Sequence, residues 1–115
     1  MKPNGRKKAC LVVKGFSQHA GTDYINIYSP VVRFETIRLM LGLAALKKWH
    51  ITGLNVRNTY LYGELDKEIY MEQLEGFTKD PNVVLRLRHA IYGLKQAGLA
   101  WWRKLDASMK DLGFE

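Results

Sequence analysis

The side chains that could do chemistry are few and scattered. Cys10 is the single cysteine, so neither an internal disulfide nor a cysteine-based zinc site can form. His19, His50 and His89 lack metal-ligand spacing and read as surface or packing residues. Asp66, Asp106 and Asp111 stand in separate contexts and do not form a pair. Asn55 closes an expected strand, where an amide would be an ordinary polar terminus. Tyr60 and Tyr62 read as half-buried aromatics whose hydroxyls find partners. Trp101 and Trp102 are adjacent, so one should face inward and the other stay partly exposed, a surface on which a base could stack.

Charge and composition narrow the field. Lys and Arg number 18 against 11 Asp and Glu, a net charge of +7 over 115 residues. That balance attracts polyanions, nucleic acid first among them. Lys7, Lys8 and Lys14 are either a solvated face or the lining of a phosphate-tracking groove. Hydrophobic residues make up 47%, enough for one small domain with a core and against wholesale disorder. The longest apolar run, Leu39 to Leu46, falls far short of the roughly 20 residues that a membrane helix requires. The basic stretch Met1 to Lys8 is not followed by a secretory apolar segment. An intracellular, reducing location, cytoplasmic or nuclear and not secreted, is expected.

The elements that must position these residues follow from periodicity. Ala9 to Phe16 is rich in Leu and Val and reads as a strand, followed by a loop from Ser17 to Pro30. Glu35 to Trp49 carries apolar residues at helical spacing, widened by Leu39, Leu43 and Leu46, and predicts a helix buried on more than one side. Ile51 to Val56 reads as a short strand, and Asn58 to Leu65 as a turn or one short helix. Strands are expected over Glu68 to Glu72 and Val83 to Leu87, the latter with Arg86 and Arg88 on one face. Gln96 to Leu112 predicts a second helix with Trp101, Leu105, Met109 and Leu112 as its apolar stripe and Gly113 as its stop. The order gives an α+β chain with two main helices. Its sheet would keep an unpaired edge and an incompletely covered face, which points to a piece of a larger unit and to self-association through that edge.

Three collinear stretches match one set of family motifs. Cys10-Leu11-Val12-Val13-Lys14-Gly15-Phe16-Ser17-Gln18, with Gly21-Thr22-Asp23-Tyr24 and Tyr28-Ser29-Pro30-Val31-Val32-Arg33, is similar to the family run KARLVAKGFSQ…G.DY…FSPVVR. Asn55 to Leu65, with Glu68-Ile69-Tyr70-Met71-Glu72-Gln73, is similar to DVKTAFLNGEL…EIYMEQ. Ala90 to Ala97, with Ala100-Trp101, is similar to ALYGLKQAPRAW. Together they resemble the reverse transcriptase of copia-type LTR retrotransposons, which implies RNA-directed DNA polymerisation on a fingers-and-palm fold of mostly antiparallel strands, with two Mg2+ or Mn2+ ions assisting phosphoryl transfer. Residues 1–115 would form a single partial domain, fingers and the first part of the palm.

Position by position, the resemblance places Asn55 where the family has a metal-binding aspartate. It places Cys10 where an arginine meets the nucleotide triphosphate. Lys14 falls at a basic position of the fingers strand, and Asn58 and Thr59 where backbone amides face the triphosphate. Tyr60 falls where an aromatic ring lies under the nucleotide sugar. Gly93, Lys95 and Gln96 fall on the template side. An amide at Asn55 brings no negative charge, and a thiol at Cys10 cannot fork onto phosphate oxygens. The family's double-aspartate turn lies beyond the matched stretches. The chain alone is therefore expected to bind no metal, to lack polymerase activity, and to contact template–primer weakly and salt-sensitively. The alternatives are a residual non-specific nucleic-acid-binding module or a decayed element without a role.

Overall fold

The computed structural model describes residues 5 and 7–114, so Met1 to Asn4 and Arg6 of the basic stretch lie outside the described residues. Two helices and one antiparallel hairpin form the frame: α1 (Phe34–Leu46), β1 (Glu64–Met71), β2 (Leu85–His89) and α2 (Ala97–Asp111). Short 3-10 turns cover Gly15–Ser17 and Thr59–Tyr62. The second settles residues 58–63: they form a tight turn, entered through Asn58 at φ 52° and closed by the Gly63 amide on the Tyr60 carbonyl at 3.0 Å, whereas Glu64 and Leu65 already belong to β1, which starts four residues before the expected strand.

The hairpin shows why β1 holds. Ile69 pairs with Leu87, Tyr70 with Arg86 and Met71 with Leu85, and a register shift separates this block from the Glu64–His89 pair. Leu65, Ile69 and Leu87 take the inner face while Glu68, Tyr70, Arg86 and Arg88 stay outside. Outside, Glu68 meets Arg86 at 3.1 Å and accepts a hydrogen bond from the Tyr70 hydroxyl at 2.8 Å. That hydrogen bond, more than the negative charge behind it, raises the Tyr70 phenol above its ordinary value, and Arg86 opposes the rise. β2 begins two residues later than expected because Val83 belongs to a turn, its amide on the Asp80 carbonyl and its carbonyl held by Gln73.

Two expected strands do not form. Residues 9–14 run without a ladder: Val13 donates to the Tyr92 carbonyl at 2.8 Å, but Gly93, at φ 95°, turns its own chain away from the extended direction. Residues 51–56 have no strand partner among the described residues, and Ile51, Leu54 and Val56 are exposed. Strand-forming composition needs a second strand in register, and neither stretch meets one.

The core is small. Ile69, Ala90, Leu94, Ala97 and Ala100 are buried together, with Val13, Tyr60, Leu65, Leu87 and Ile91 against them. Alanines dominate because backbones come close: a Cβ on Gly63 would lie 2.9 Å from the Ala100 Cβ, and the Ala90 amide reaches the Gly63 carbonyl at 2.9 Å. α2 therefore packs through its first turn. The stripe read from its sequence is not the buried face, since Leu105, Met109 and Leu112 are exposed. The buried residues of α2 all lie in the first turn, while Trp101, Arg103 and Lys104 of the next turn reach Tyr62, Asp66 and Glu64 at the surface. Gly113, at φ 86°, ends it as expected.

α1 differs more. Lys48, at φ 54°, ends it before Trp49, and Ala44 is its one buried residue. Leu39 and Leu46 are 70% and 83% exposed, so burial on several sides does not occur in this chain. The apolar pattern is real, but no described element covers it. The chain exposes 10447 Å², whereas a closed globule of its mass exposes about 6,400 Å². Its radius of gyration is 18.6 Å, against about 13 Å for a compact domain of this length.

Candidate nucleic-acid interface

The residues singled out from sequence meet mainly at one junction. Segment 13–24 crosses the turn that precedes α2. The Val13–Tyr92 hydrogen bond fixes the crossing, and two glycines allow it. A Cβ on Gly15 would overlap the Gly93 carbonyl, and one on Gly93 would overlap the Val13 carbonyl and lie 2.9 Å from Val12 Cγ1. No side chain fits at either position. Lys14 thus sits exposed between two residues that touch the turn. Tyr60 reaches the same place through its ring, edge-to-face with Tyr92 at 4.6 Å between centroids. Lys14, Tyr60 and Gly93 therefore share one neighbourhood, drawn from three distant parts of the sequence.

Lys95 and Gln96 are engaged within the chain. Lys95 Nζ donates to the Gln18 carbonyl at 3.1 Å and to the Tyr24 hydroxyl at 3.4 Å, and it lies 5.1 Å from the centre of the Tyr24 ring. The Gln96 side chain is buried and bonds Gln18 and the Asp23 carbonyl. The loop beneath is tied by Asp23, whose carboxylate accepts from the His19 amide at 2.7 Å. Neither residue type nor spacing gives Gln18 or Asp23 a role. Gln18 lies inside a matched motif, but its partner stands 78 positions away, a pairing one sequence does not display.

Asn55, Asn58, Thr59 and Cys10 complete the expected set. Cys10 and Asn55 are exposed. Asn58 is left-handed and exposed, and the Thr59 hydroxyl donates to the Val56 carbonyl at 3.0 Å. Among the described residues no three His, Cys, Asp or Glu side chains gather closely enough to hold a metal ion. Magnesium takes hard, preferably anionic oxygens. A lone exposed amide at Asn55 does not fit that requirement. Near α2, Asp66 pairs with Arg103, and Glu64 lies 3.8 Å from Lys104. These carboxylates are engaged by cations. Trp101 is half-buried and tilted against Tyr62, 6.4 Å between centroids, while Trp102 is exposed. Among the described residues no helix is long and apolar enough to cross a membrane.

An α+β chain with two helices, an antiparallel hairpin and these three motif stretches around one junction is what part of a reverse transcriptase domain would provide. The chain belongs to the reverse transcriptase (RNA-dependent DNA polymerase) family, which it matches over residues 1–115. Its relatives are copia-type. It is 48% identical over 111 residues to the retrovirus-related Pol polyprotein from transposon RE2 of Arabidopsis thaliana, covering 95% of this chain and 8% of that protein. It is 47% identical over 107 residues to the Pol polyprotein from transposon TNT 1-94 of Nicotiana tabacum, covering 91% of this chain and 8% of that protein. With the transposon Ty1-BL Gag-Pol polyprotein of Saccharomyces cerevisiae it shares 30% identity over 115 residues, 99% of this chain and 6% of that protein. The chain thus spans less than a tenth of the length of these relatives. No solved structure matches it.

Proposed function

We propose that residues 1–115 are one partial reverse transcriptase domain, fingers and the first part of the palm, that contacts template–primer but does not add nucleotides by itself. The observation that carries this reading is the junction where Lys14, Tyr60 and Gly93 meet. It brings a cation, an aromatic ring and a glycine turn together, the means by which proteins hold a nucleic-acid backbone and its bases. The net charge of +7 supplies attraction at longer range. Against catalysis stand Asn55, an uncharged amide where the family has a metal-binding aspartate, and Cys10, a thiol where it has an arginine. In the intact family Mg2+ supplies the electrostatic stabilisation of phosphoryl transfer, and this donor set does not reproduce its ligands.

Primer extension on an RNA template with Mg2+ or Mn2+ tests the proposal. No extension is expected, and Asn55→Asp alone should not restore it. Processive, template-directed products from the unaltered chain would refute it. Fluorescence anisotropy with a labelled RNA–DNA hybrid tests the binding half: affinity should be weak and fall steeply with salt. A second reading, a chain without a settled role, is favoured by the large exposed area. Limited proteolysis separates the two, since a binding module leaves a resistant core around Ile69, Ala90 and Leu94. The unpaired outer edges of the two-stranded sheet also favour self-association, which sedimentation measures.

A further inference from the structure

Among the described residues, the buried polar side chains are Gln18 and Gln96, 8% and 9% exposed. Burying an amide is costly unless its oxygen and nitrogen both find partners, and both residues satisfy this. The Asp23 carbonyl accepts from Gln96 Nε2 at 3.1 Å, Gln96 Oε1 accepts from Gln18 Nε2 at 3.0 Å, and Gln18 Oε1 accepts from the Lys95 backbone N–H at 2.9 Å. The relay begins at a backbone carbonyl and ends at a backbone N–H. Neither end can be reversed, so the orientation of both amides is fixed by the chain itself. Lys95 adds a second tie by donating to the Gln18 carbonyl. Residues 18–24 are thereby fastened to the start of α2 beside the Gly15–Gly93 crossing.

We infer that Gln18 is a positioning residue for nucleic-acid binding: through Gln96 and the Lys95 amide it clamps residues 18–24 to the turn before α2 and so keeps Lys14 beside the Gly15–Gly93 crossing. The inference deepens the reading above and rests on it for the roles of Lys14 and Gly93. Gln96 then acts through its hold on Gln18 and Asp23, not by reaching a template base.

The test uses the full 115-residue chain and the variants Gln18→Leu, Gln96→Leu and the double substitution. All three are neutral, so added charge cannot mimic a binding defect. Two readouts are taken: anisotropy with a labelled RNA–DNA hybrid, and backbone amide exchange at Lys95, Asp23 and Ala90. Each single variant should weaken hybrid binding about tenfold, and the double variant should weaken it by less than the product of the two, because the bond between Gln18 and Gln96 is lost only once. Exchange at Lys95, whose amide bonds Gln18 Oε1, should quicken about tenfold in Gln18→Leu and the double variant, the equivalent of one lost hydrogen bond, and Asp23, whose amide stays on the His19 carbonyl, should quicken less in all three as the loop loosens. Ala90, whose amide bonds Gly63 in the same core, should hold its rate. Weakened binding in Gln96→Leu but not in Gln18→Leu would overturn the inference in favour of direct contact by Gln96. Equal acceleration at Ala90 would overturn it in favour of general destabilisation. If the unaltered chain does not bind the hybrid, the reading above falls and takes the binding role with it, while the exchange rates still decide whether Gln18 clamps the loop.

Discussion

Gly93→Ala should be among the most damaging single substitutions in the chain, and its cost divides into parts that can be measured separately. Gly93 has φ 95°, where an L-residue pays about 1–2 kcal/mol. An added Cβ would also overlap the Val13 carbonyl, so the crossing segment must move away. That movement stretches the 2.8 Å hydrogen bond from Val13 to Tyr92 beyond use, a further loss of about 1 kcal/mol. Together with the disturbed packing of Val13 on the core cluster, the total comes to about 3 kcal/mol. Two companion variants separate the contributions. Gly21, at φ 86°, has nothing within 4 Å of an added Cβ, so Gly21→Ala carries the backbone cost alone, about 1 kcal/mol. Gly15→Ala carries the steric overlap with the Gly93 carbonyl without a positive φ, about 2 kcal/mol. Gly15→Ala combined with Gly93→Ala should cost less than their sum, since the segments part only once. Urea unfolding followed by circular dichroism, with amide exchange at Ala90, measures all four variants. If Gly93→Ala unfolded at the same urea concentration as Gly21→Ala, the close crossing would not exist as described.

Other outcomes follow from the packing and the charges. Ile69→Ala should cost about 2–4 kcal/mol because Ile69 sits in the central cluster, while Leu39→Lys or Leu46→Lys on α1 should change stability by less than about 0.5 kcal/mol in this chain; urea midpoints decide. Tyr70 has a folded-state pKa raised above its unfolded value of 10.0, so its contribution to stability is present at neutral pH and is lost as pH climbs through the raised value. Glu68→Gln should return the phenol toward its ordinary range in an ultraviolet difference titration. Lys14→Ala should weaken binding of an RNA–DNA hybrid at every sequence alike and make the logarithmic salt slope shallower by about one unit or less, which anisotropy across a salt series would show.

The residues disclosed the two helices and the presence of two strand segments because those elements depend on local signals. α2 differs from its expected span by one residue at each end, and the antiparallel pairing of β1 with β2 agrees with alternation around a turn rich in Asp, Pro and Asn. Signals that need a distant partner did not carry. Residues 9–14 and 51–56 have strand-forming side chains, but a strand is a property of two segments, and no ladder meets either one. The apolar stripe of α2 shows the same gap. Leu105 and Met109 mark a face that could be buried, whereas Ala97 and Ala100 are the residues that are buried, because small side chains let the helix start approach Gly63. For the site, Lys14, Tyr60 and Gly93 were named from motif position, but their meeting depends on two glycine contacts and the relay through Gln18, none of which has a periodic signature.

α1 follows from the same reasoning. Its leucines recur as a core helix requires, yet the helix lies almost entirely in solvent. Hydrophobic burial contributes about 25 cal/mol for each Å² removed from water. The chain leaves about 4,000 Å² more exposed than a closed globule of its mass would, an excess comparable with the larger permanent interfaces between proteins. Much of the stabilisation encoded in these residues is therefore not realised by contacts among them. The described chain divides into a packed unit, formed by the hairpin, the start of α2 and the crossing segment, and an apolar helix with little to lean on. Amide exchange should show that division directly: protection at Ala90 and Leu94, and rapid exchange along α1. Equal protection in both would mean that α1 has found a partner, a second copy of the chain being the first to examine by sedimentation.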